Sequence, residues 1–301
     1  MGSNKDLPDT APHQLAYLSF TPMRFFRLWI FACAFVAAAC QSKPKPAPPP
    51  LASVTIHARD FAFDAPAAIP AGLTTLHLVN DGPGLHHALF VRLDSGKTVV
   101  DLLLSLKTLP ALPGWAKYIG GPAVPEPGME SVATLDLAPG NYAIICILDV
   151  PGHMPHYERG MVSALTVNAA SGTAATIPSA VAENPDTVIA LSDYVLAIEK
   201  PITAGTHIFG VVTAAGEPHD VLVVRLDDGK TGQDYVKWIE AMNGPGPGHV
   251  IGGTAPASPG VTQSFTATFT PGNYLLICLV LDMKTHKPHF MEGMIKTVKV
   301  E

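Results

Sequence analysis

The sequence predicts an all-β protein built from two tandem Greek-key β-sandwich domains, each with one short inserted helix. Two observations carry this prediction. An internal repeat of about 133 residues has the size of a whole domain, and short apolar segments bounded by glycine, proline and asparagine are typical of an antiparallel sandwich. The predicted organisation is a leader, a proline-rich tether, a first domain, a linker and a second domain at residues 1–40, 41–52, 53–168, 169–186 and 187–301.

The repeat appears as matched segments at nearly constant spacing. The matched pairs are residues 86–98 with 219–231, 139–142 with 271–274, and 160–161 with 293–294. Each pair keeps the same order of residue types and the same place within its copy. A tandem duplication of one domain explains this pattern.

Six apolar segments of the first copy predict strands at residues 53–58, 74–80, 87–93, 130–137, 142–148 and 161–167. Between two of them, the stretch Leu-Ala-Pro-Gly-Asn-Tyr ending at Tyr142 resembles a tyrosine corner. In that motif a tyrosine hydroxyl ties a Greek-key crossover to nearby backbone. The segment therefore supports Greek-key topology.

One helix is predicted in each domain. Thr98 with Asp101, and Thr231 with Asp234, have the spacing of a capping box ahead of apolar residues. The segments that follow, 110–127 and 243–260, are rich in glycine and proline and show little periodicity, so they are predicted to be loops.

Composition excludes one class of partner. The chain of 301 residues is 48% hydrophobic and 15% charged, with a net charge of −6. A protein that tracks nucleic-acid phosphates needs a basic patch, and none is visible in the sequence. We expect no nucleic-acid partner.

Residues 23–40 have the layout of a secretory signal, with Arg24 and Arg27 ahead of an apolar core. The start of the chain lies at Met1 or Met23. Three alanines before Cys40 resemble the lipobox of bacterial lipoproteins, which implies lipidation of that cysteine, and the proline-rich run after it extends as a spacer. We therefore expect an exported protein that is lipid-anchored to the bacterial envelope, at its periplasmic face or at the cell surface, and that contacts the membrane only through this anchor.

Two cysteines remain for the folded regions, Cys146 and Cys278, at equivalent positions of the two copies. A disulfide framework needs a partner within each domain, and neither copy supplies one. A single cysteine in an exported domain is either deeply buried or bound to a metal. Both interpretations stay open, because Cys146 lies in an aliphatic segment where inert core cysteines are common.

Each copy contains the four residue types of a mononuclear copper electron-transfer site. Such a site needs two imidazoles and a thiolate in a trigonal arrangement, with a weak axial thioether. The candidate ligands are His86, Cys146, His156 and Met161 in the first copy and His219, Cys278, His289 and Met294 in the second. His153 and His286 are alternative ligands that lie closer to the cysteines along the chain.

These residues give the domains a resemblance to cupredoxins of the plastocyanin and azurin type. The stretch from Asn80 to His86 resembles the Asn-x-Gly-x-x-Pro-His-Asn segment of that family, and the spacing from His156 to Met161 matches as well. The resemblance implies one copper ion per domain and electron transfer to a redox partner protein of the envelope. One departure stands out, since the chain has nine residues between Cys146 and His156 where the family usually has two to four.

Other functions make different demands on the sequence. Two-domain copper nitrite reductases and multicopper oxidases need histidines beside the type 1 cysteine, whereas isoleucine or leucine flanks each cysteine here at positions 145, 147, 277 and 279. We therefore expect an electron carrier or binding protein rather than an enzyme. The alternatives are a metal-free cupredoxin-like binding or interaction module, favoured by the long loops, and a protein for copper delivery.

Overall fold

The computed structural model describes residues 51–108, 112–148, 154–169 and 184–301. The predicted leader with Cys40, almost all of the predicted tether, the alternative ligand His153 and most of the linker lie outside these residues. The described part belongs to one compact unit and is mostly β-structure, which confirms the predicted fold class. Within it, no helix is long and apolar enough to cross a membrane.

The first repeat contributes nine strands and one helix: β1 (Ala52–Arg59), β2 (Ala62–Asp64), β3 (Ala68–Pro70), β4 (Gly72–Asn80), β5 (Leu89–Leu93), α1 (Val99–Leu106), β6 (Ala116–Gly120), β7 (Glu130–Leu137), β8 (Gly140–Ile145) and β9 (Val162–Asn168). The second contributes eight strands and one helix: β10 (Thr187–Ser192), β11 (Val195–Ile198), β12 (Gly205–Thr213), β13 (His219–Leu226), α2 (Gly232–Ala241), β14 (Gly248–Ala257), β15 (Thr262–Phe269), β16 (Gly272–Ile277) and β17 (Ile295–Val300).

Two large sheets run through both repeats. One has the strand order β11-β10-β12-β15-β7-β4-β1-β2, and the other has the order β17-β16-β13-β14-β6-β5-β8-β9-β3. The repeats join where β7 pairs with β15 and where β6 pairs with β14, both antiparallel. Each repeat still packs its own core between the two sheets, and the cysteine and the methionine of the candidate site lie in that core.

The junction between the repeats has approximate two-fold symmetry. Ala133 pairs with Phe265, and Pro122 pairs with Thr254, and in both pairs the two residues occupy equivalent positions of the repeat. An antiparallel ladder in which a residue meets its own equivalent is the pattern of a two-fold symmetric contact. The duplicated domains therefore meet like the subunits of a symmetric dimer.

The loop prediction for 110–127 and 243–260 was wrong in part, because each segment contains a strand, β6 or β14. These strands pair on one side with β5 or β13 and on the other side with each other. Gly121 and Gly253 lie in bulged stretches at positive φ, where an added Cβ would be 2.0 Å from the backbone oxygen of Ala88 or Val221. Glycine is required by this close approach, and it also hides the strand pattern in the sequence.

Two local predictions are confirmed. The Tyr142 hydroxyl donates to the backbone oxygen of Ala138 at 2.8 Å, and the equivalent Tyr274 donates to Thr270 at 2.8 Å, so both repeats have a tyrosine corner. Helices α1 and α2 both begin with the reciprocal hydrogen bonds of a capping box. These devices fix the crossover and the inserted helix in each repeat.

Candidate metal centres

The first histidine of each centre, His86 or His219, follows the loop that comes after the long strand β4 or β12. In the first repeat, Asn80 holds this loop: its amide donates to the backbone oxygens of Gly84 at 2.8 Å and Pro125 at 3.0 Å, and its side-chain oxygen accepts from the N–H of Gly82 at 3.0 Å. Gly82 leaves room for the imidazole, since a Cβ there would lie 2.9 Å from Nε2 of His86. His86 itself is fully buried.

The other ligand candidates lie close together although nine residues separate Cys146 from His156. The N–H of His156 donates to the oxygen of Leu148 at 2.9 Å, and the N–H of Tyr157 donates to the oxygen of Cys146 at 2.9 Å. A 3-10 turn, His156–Arg159, then ends at a left-handed Gly160. Backbone hydrogen bonds thus close the long span at its base and return His156 to the cysteine.

In the first repeat the site is a buried triangle. Nδ1 of His86 lies 3.3 Å from Nδ1 of His156, and Sγ of Cys146 lies 3.5 Å from the same Nδ1 of His156. All three donor atoms lie within 4.8 Å of one another. The predicted partners His86, Cys146 and His156 are therefore brought together.

The second repeat forms the same triangle. Nδ1 of His219 lies 3.0 Å from Nδ1 of His289, and Sγ of Cys278 lies 3.6 Å from Nδ1 of His289. The ten residues between cysteine and histidine again end in a 3-10 turn, His289–Glu292. Both long spans are compatible with a closed site.

The spacing of these atoms fits a metal ion. Bonds of about 2.0 Å to nitrogen and about 2.3 Å to sulfur, at angles between tetrahedral and trigonal, place two nitrogens about 3.3–3.5 Å apart and nitrogen and sulfur about 3.5–3.7 Å apart. In the first repeat the two distances are 3.3 and 3.5 Å, which lie in these ranges. In the second repeat the nitrogen–sulfur distance of 3.6 Å also fits, whereas the two nitrogens, 3.0 Å apart, would have to separate slightly around an ion. Two histidines and a thiolate in a dry triangle are the donor set of a blue-copper site, so each group can hold copper.

Buried methionines lie next to both triangles. The N–H of Met161 donates to the oxygen of His156 at 3.0 Å, and the N–H of Cys146 donates to the oxygen of Met161 at 3.2 Å. Met294 repeats these contacts with His289 and Cys278, both at 3.0 Å. Met161 and Met294 are fully buried, and their role as axial ligands stays a prediction.

The alternative ligand in the second repeat lies elsewhere. His286 is exposed, has a positive φ of 57° and belongs to none of the metal-ligating groups among the described residues. Its counterpart His153 falls outside those residues. The geometry therefore favours His289 over His286.

Burial keeps the thiols protonated in the metal-free state. It raises the pKa of Cys146 to about 11, although hydrogen bonds from the backbone N–H groups of His87 and Leu148 to the sulfur act in the opposite direction. Burial also raises the pKa of Cys278 well above its ordinary value. Because a metal binds the thiolate, metal binding must release this proton.

Sequence reasoning missed a carboxylate in each centre. Oδ1 of Asp60 lies 3.0 Å from Nε2 of His86, and Oδ1 of Asp193 lies 3.3 Å from Nε2 of His219. In the first repeat the carboxylate is within hydrogen-bond distance of Nε2, and accepting from it directs the lone pair of Nδ1 towards the metal. The sequence does contain a pattern that could have revealed these carboxylates. In both repeats the first long strand is followed by an acidic residue and then an aromatic one, at positions 60–61 and 193–194.

The residue after the first histidine differs between the repeats. Burial lowers the pKa of His87 to about 4, whereas it raises the pKa of the equivalent Asp220 to about 6. A carboxylate oxygen of Asp220 accepts from the N–H of Leu279 at 2.8 Å. Neither residue belongs to the triangles.

Each repeat is thus cupredoxin-like in arrangement, with a Greek-key sandwich and its His, Cys and His donors at one end. No family model matches the chain, and no curated protein matches it. Among solved structures, the chain is similar to auracyanin from Roseiflexus castenholzii, with 21% identity over 40% of this chain and 97% of that chain at a TM-score of 0.29.

Two further structures are similar to different lengths of the chain. Auracyanin A of Chloroflexus aurantiacus shows 25% identity over 38% of this chain and 99% of its own at a TM-score of 0.27. Copper nitrite reductase from Nitrosomonas europaea shows 14% identity over 84% of this chain and 94% of its own at a TM-score of 0.26.

Proposed function

We propose that each triangle binds one copper ion and that the protein carries electrons between partners of the bacterial envelope. The observation that carries the proposal is the pair of buried His–Cys–His groups, each with its donor atoms within 4.8 Å. A copper ion held there supplies one-electron chemistry by cycling between Cu(II) and Cu(I). Soft sulfur with two imidazoles suits both oxidation states.

The surrounding residues hold this donor set rigid. Backbone N–H groups donate to the sulfur of Cys146, Asp60 orients His86, and the ring of Phe61 packs edge-on against His156 with centroids 5.2 Å apart. A site whose ligands do not rearrange has little to reorganise when its charge changes. The residues that flank the cysteines are aliphatic, so no histidine next to either cysteine leads to a further copper centre.

The location and the partner complete the proposal. We propose that Cys40 is lipidated after removal of the leader, and that the proline-rich run keeps the two domains away from the membrane while a redox protein of the envelope docks on them. Lipid analysis of the exported protein, with Cys40→Ser as the comparison, tests the anchor. The expected result is release of the variant into the soluble fraction.

Copper content and colour test the main proposal. Copper-loaded protein should contain two copper ions per chain and absorb strongly in the visible through thiolate-to-copper charge transfer. Cys146→Ser and Cys278→Ser should each remove one copper and its share of the band. His286→Asn changes an exposed residue of the same loop and should leave both unchanged. Absence of the band, together with unchanged copper content in the cysteine variants, would refute the proposal.

A cavity at the junction of the repeats favours a second candidate, a module that binds a small apolar ligand. Its volume is about 670 Å³, and its walls include His87, Leu148, Ala255 and Val280. Filling it with Ala255→Phe should abolish binding of an apolar fluorescent dye while leaving copper content unchanged. If the protein takes up no copper but binds the dye, and the variant does not, the binding module is the better description.

A further inference from the structure

His289, the second candidate histidine ligand of the second repeat, has a different group of side chains at each of its two ring nitrogens. Its Nδ1 lies in the triangle with Cys278, while its Nε2 lies on the opposite edge of the ring, 3.6 Å from Oε2 of Glu217. Glu217, Asp282 and His289 also bring three donor atoms within 4.8 Å of one another. His289 therefore belongs to two adjacent groups of metal-ligating side chains.

Nε2 of His289 has no hydrogen-bond partner among the described residues, although His289 is fully buried. A buried polar atom without a partner is costly, and a bound ion or water is one way in which that cost is removed. The 3.6 Å separation from Glu217 is too long for a direct hydrogen bond. The gap between this nitrogen and the carboxylate is the kind that a metal ion bridges.

The two carboxylates are fixed in place by other contacts. Asp282 is buried, and it accepts from the hydroxyl of Tyr194 and from the N–H groups of Lys284 and Thr285. Glu217 accepts from the N–H of Met283 at 2.9 Å. Within the part of the chain that the structure describes, no lysine or arginine forms an ion pair with either carboxylate.

We propose that Glu217, Asp282 and Nε2 of His289 form a second cation site that takes a divalent first-row metal such as Zn²⁺. One imidazole nitrogen with two carboxylate oxygens is a donor set that zinc accepts, with further positions open to water. The site rests on the proposed function only in sharing His289 with the copper triangle. If copper were bound at Nδ1 of His289, an ion held by Nε2 would require the Nε2 proton to be released to solvent.

The long span between Cys278 and His289 explains how this site arises. Asp282 comes from that span, so the residues beyond the usual loop length supply a ligand. Gly84 of the first repeat occupies the position equivalent to Glu217, so the first repeat lacks this carboxylate. Asp149 matches Asp282 when the copies are aligned from the histidine, and it lies outside the described residues. We therefore expect one such site per chain.

Metal titration of the copper-loaded full chain tests this inference. After dialysis against Zn²⁺, elemental analysis should give one zinc per chain in addition to copper. Glu217→Gln and Asp282→Asn should each weaken zinc binding at least about 10-fold, because loss of a ligand should cost no less than loss of a group that only orients a ligand. The asparagine of the second variant keeps an oxygen for the loop N–H groups, so that variant folds. Glu126→Gln, which alters a carboxylate beside His249, is the matched control and should bind zinc normally.

Cobalt(II) separates the possible outcomes. Bound to oxygen and nitrogen it gives weak visible bands alone, whereas at Cys278 it adds an intense thiolate-to-cobalt band. Two copper ions with no zinc, or zinc binding unaffected by both variants, would overturn this inference and leave the copper proposal standing. Cobalt bound without that band and lost in Glu217→Gln, in protein that takes up no copper, would support this site and refute the copper proposal.

Discussion

The two centres share their donors, a buried methionine and an aspartate beside the first histidine, but they differ in the side chains that hold and cover the site. The first is held by the Asn80 side chain and covered by Phe61, over which Arg159 stacks at 3.5 Å. The second has Thr213 in place of Asn80 and Tyr194 in place of Phe61, with the tyrosine hydroxyl bound to Asp282. Duplication has thus kept the triangle and allowed its supports to diverge. The comparison teaches that a metal triangle needs fixed donors, while several kinds of support can fix them.

The pair His87 and Asp220 should give the two repeats opposite pH dependence in the metal-free protein. Asp220 has a folded pKa of about 6, above its ordinary value, so between about pH 4 and pH 6 the folded state binds more protons than the unfolded state. Its contribution to stability is therefore lost as the pH rises through this window. His87 has a folded pKa of about 4, below its ordinary value, so its contribution is lost as the pH falls from 6.5 towards 4.

Single substitutions should separate these opposing slopes. In Asp220→Asn only His87 remains, so the free energy of unfolding should rise with pH, by up to about 3 kcal/mol across the window. In His87→Asn only Asp220 remains, so the free energy of unfolding should fall with pH by a similar amount. Urea unfolding of metal-free protein between pH 4 and pH 7 measures both. If both variants keep the wild-type pH dependence, the contrast between the two positions is wrong.

The next test concerns Asn80 and Thr213, the equivalent residues at the start of the loop that leads to the first histidine of each centre. Asn80→Ala removes three hydrogen bonds and leaves an N–H and two carbonyl groups without this partner, so we expect a loss of about 2–3 kcal/mol and lower copper content of the first site. The Thr213 hydroxyl is buried without a partner in the described region. Thr213→Val should therefore be neutral or slightly stabilising. Equal losses from the two variants in urea unfolding would show that the loops are held alike.

Local patterns predicted much of this molecule, and the junction was the main exception. Tyr142, the Thr98 capping box and the strand segments all carry signals within a few residues, and the structure confirms them. Strands β6 and β14 were missed because glycines and prolines in and beside them, such as Gly121 and Gly253, dilute the apolar pattern, and because one edge of each strand pairs across the junction with the other repeat. The grouping of His86, Cys146 and His156 was predictable from the repeat, but closure of the long span depends on backbone contacts such as His156 to Leu148.

Asp60 and Asp193, which lie beside Nε2 of the first histidine of each centre, should affect copper affinity to different extents. Asp60→Asn weakens the acceptor that orients His86, and we expect copper affinity of the first site to fall about 10–100-fold. Asp193 lies farther from its histidine, 3.3 Å rather than 3.0 Å, so Asp193→Asn should have a smaller effect on the second site. Competition with a copper chelator, followed by visible absorption, measures each site. A larger effect at Asp193 would reverse this ranking.

The smallest expected difference between the repeats is in how much each tyrosine corner contributes to the free energy of unfolding. Tyr142 donates one hydrogen bond, to Ala138, whereas the Tyr274 hydroxyl both donates to the oxygen of Thr270 and accepts from its N–H at 2.9 Å. Tyr142→Phe should cost about 1 kcal/mol, and Tyr274→Phe should cost about 2 kcal/mol because it also leaves an N–H without its partner. Urea midpoints at constant pH give both values. Since phenylalanine keeps the ring in the core, equal costs would mean that water replaces the hydroxyl at Thr270, and that the second corner contributes no more than the first.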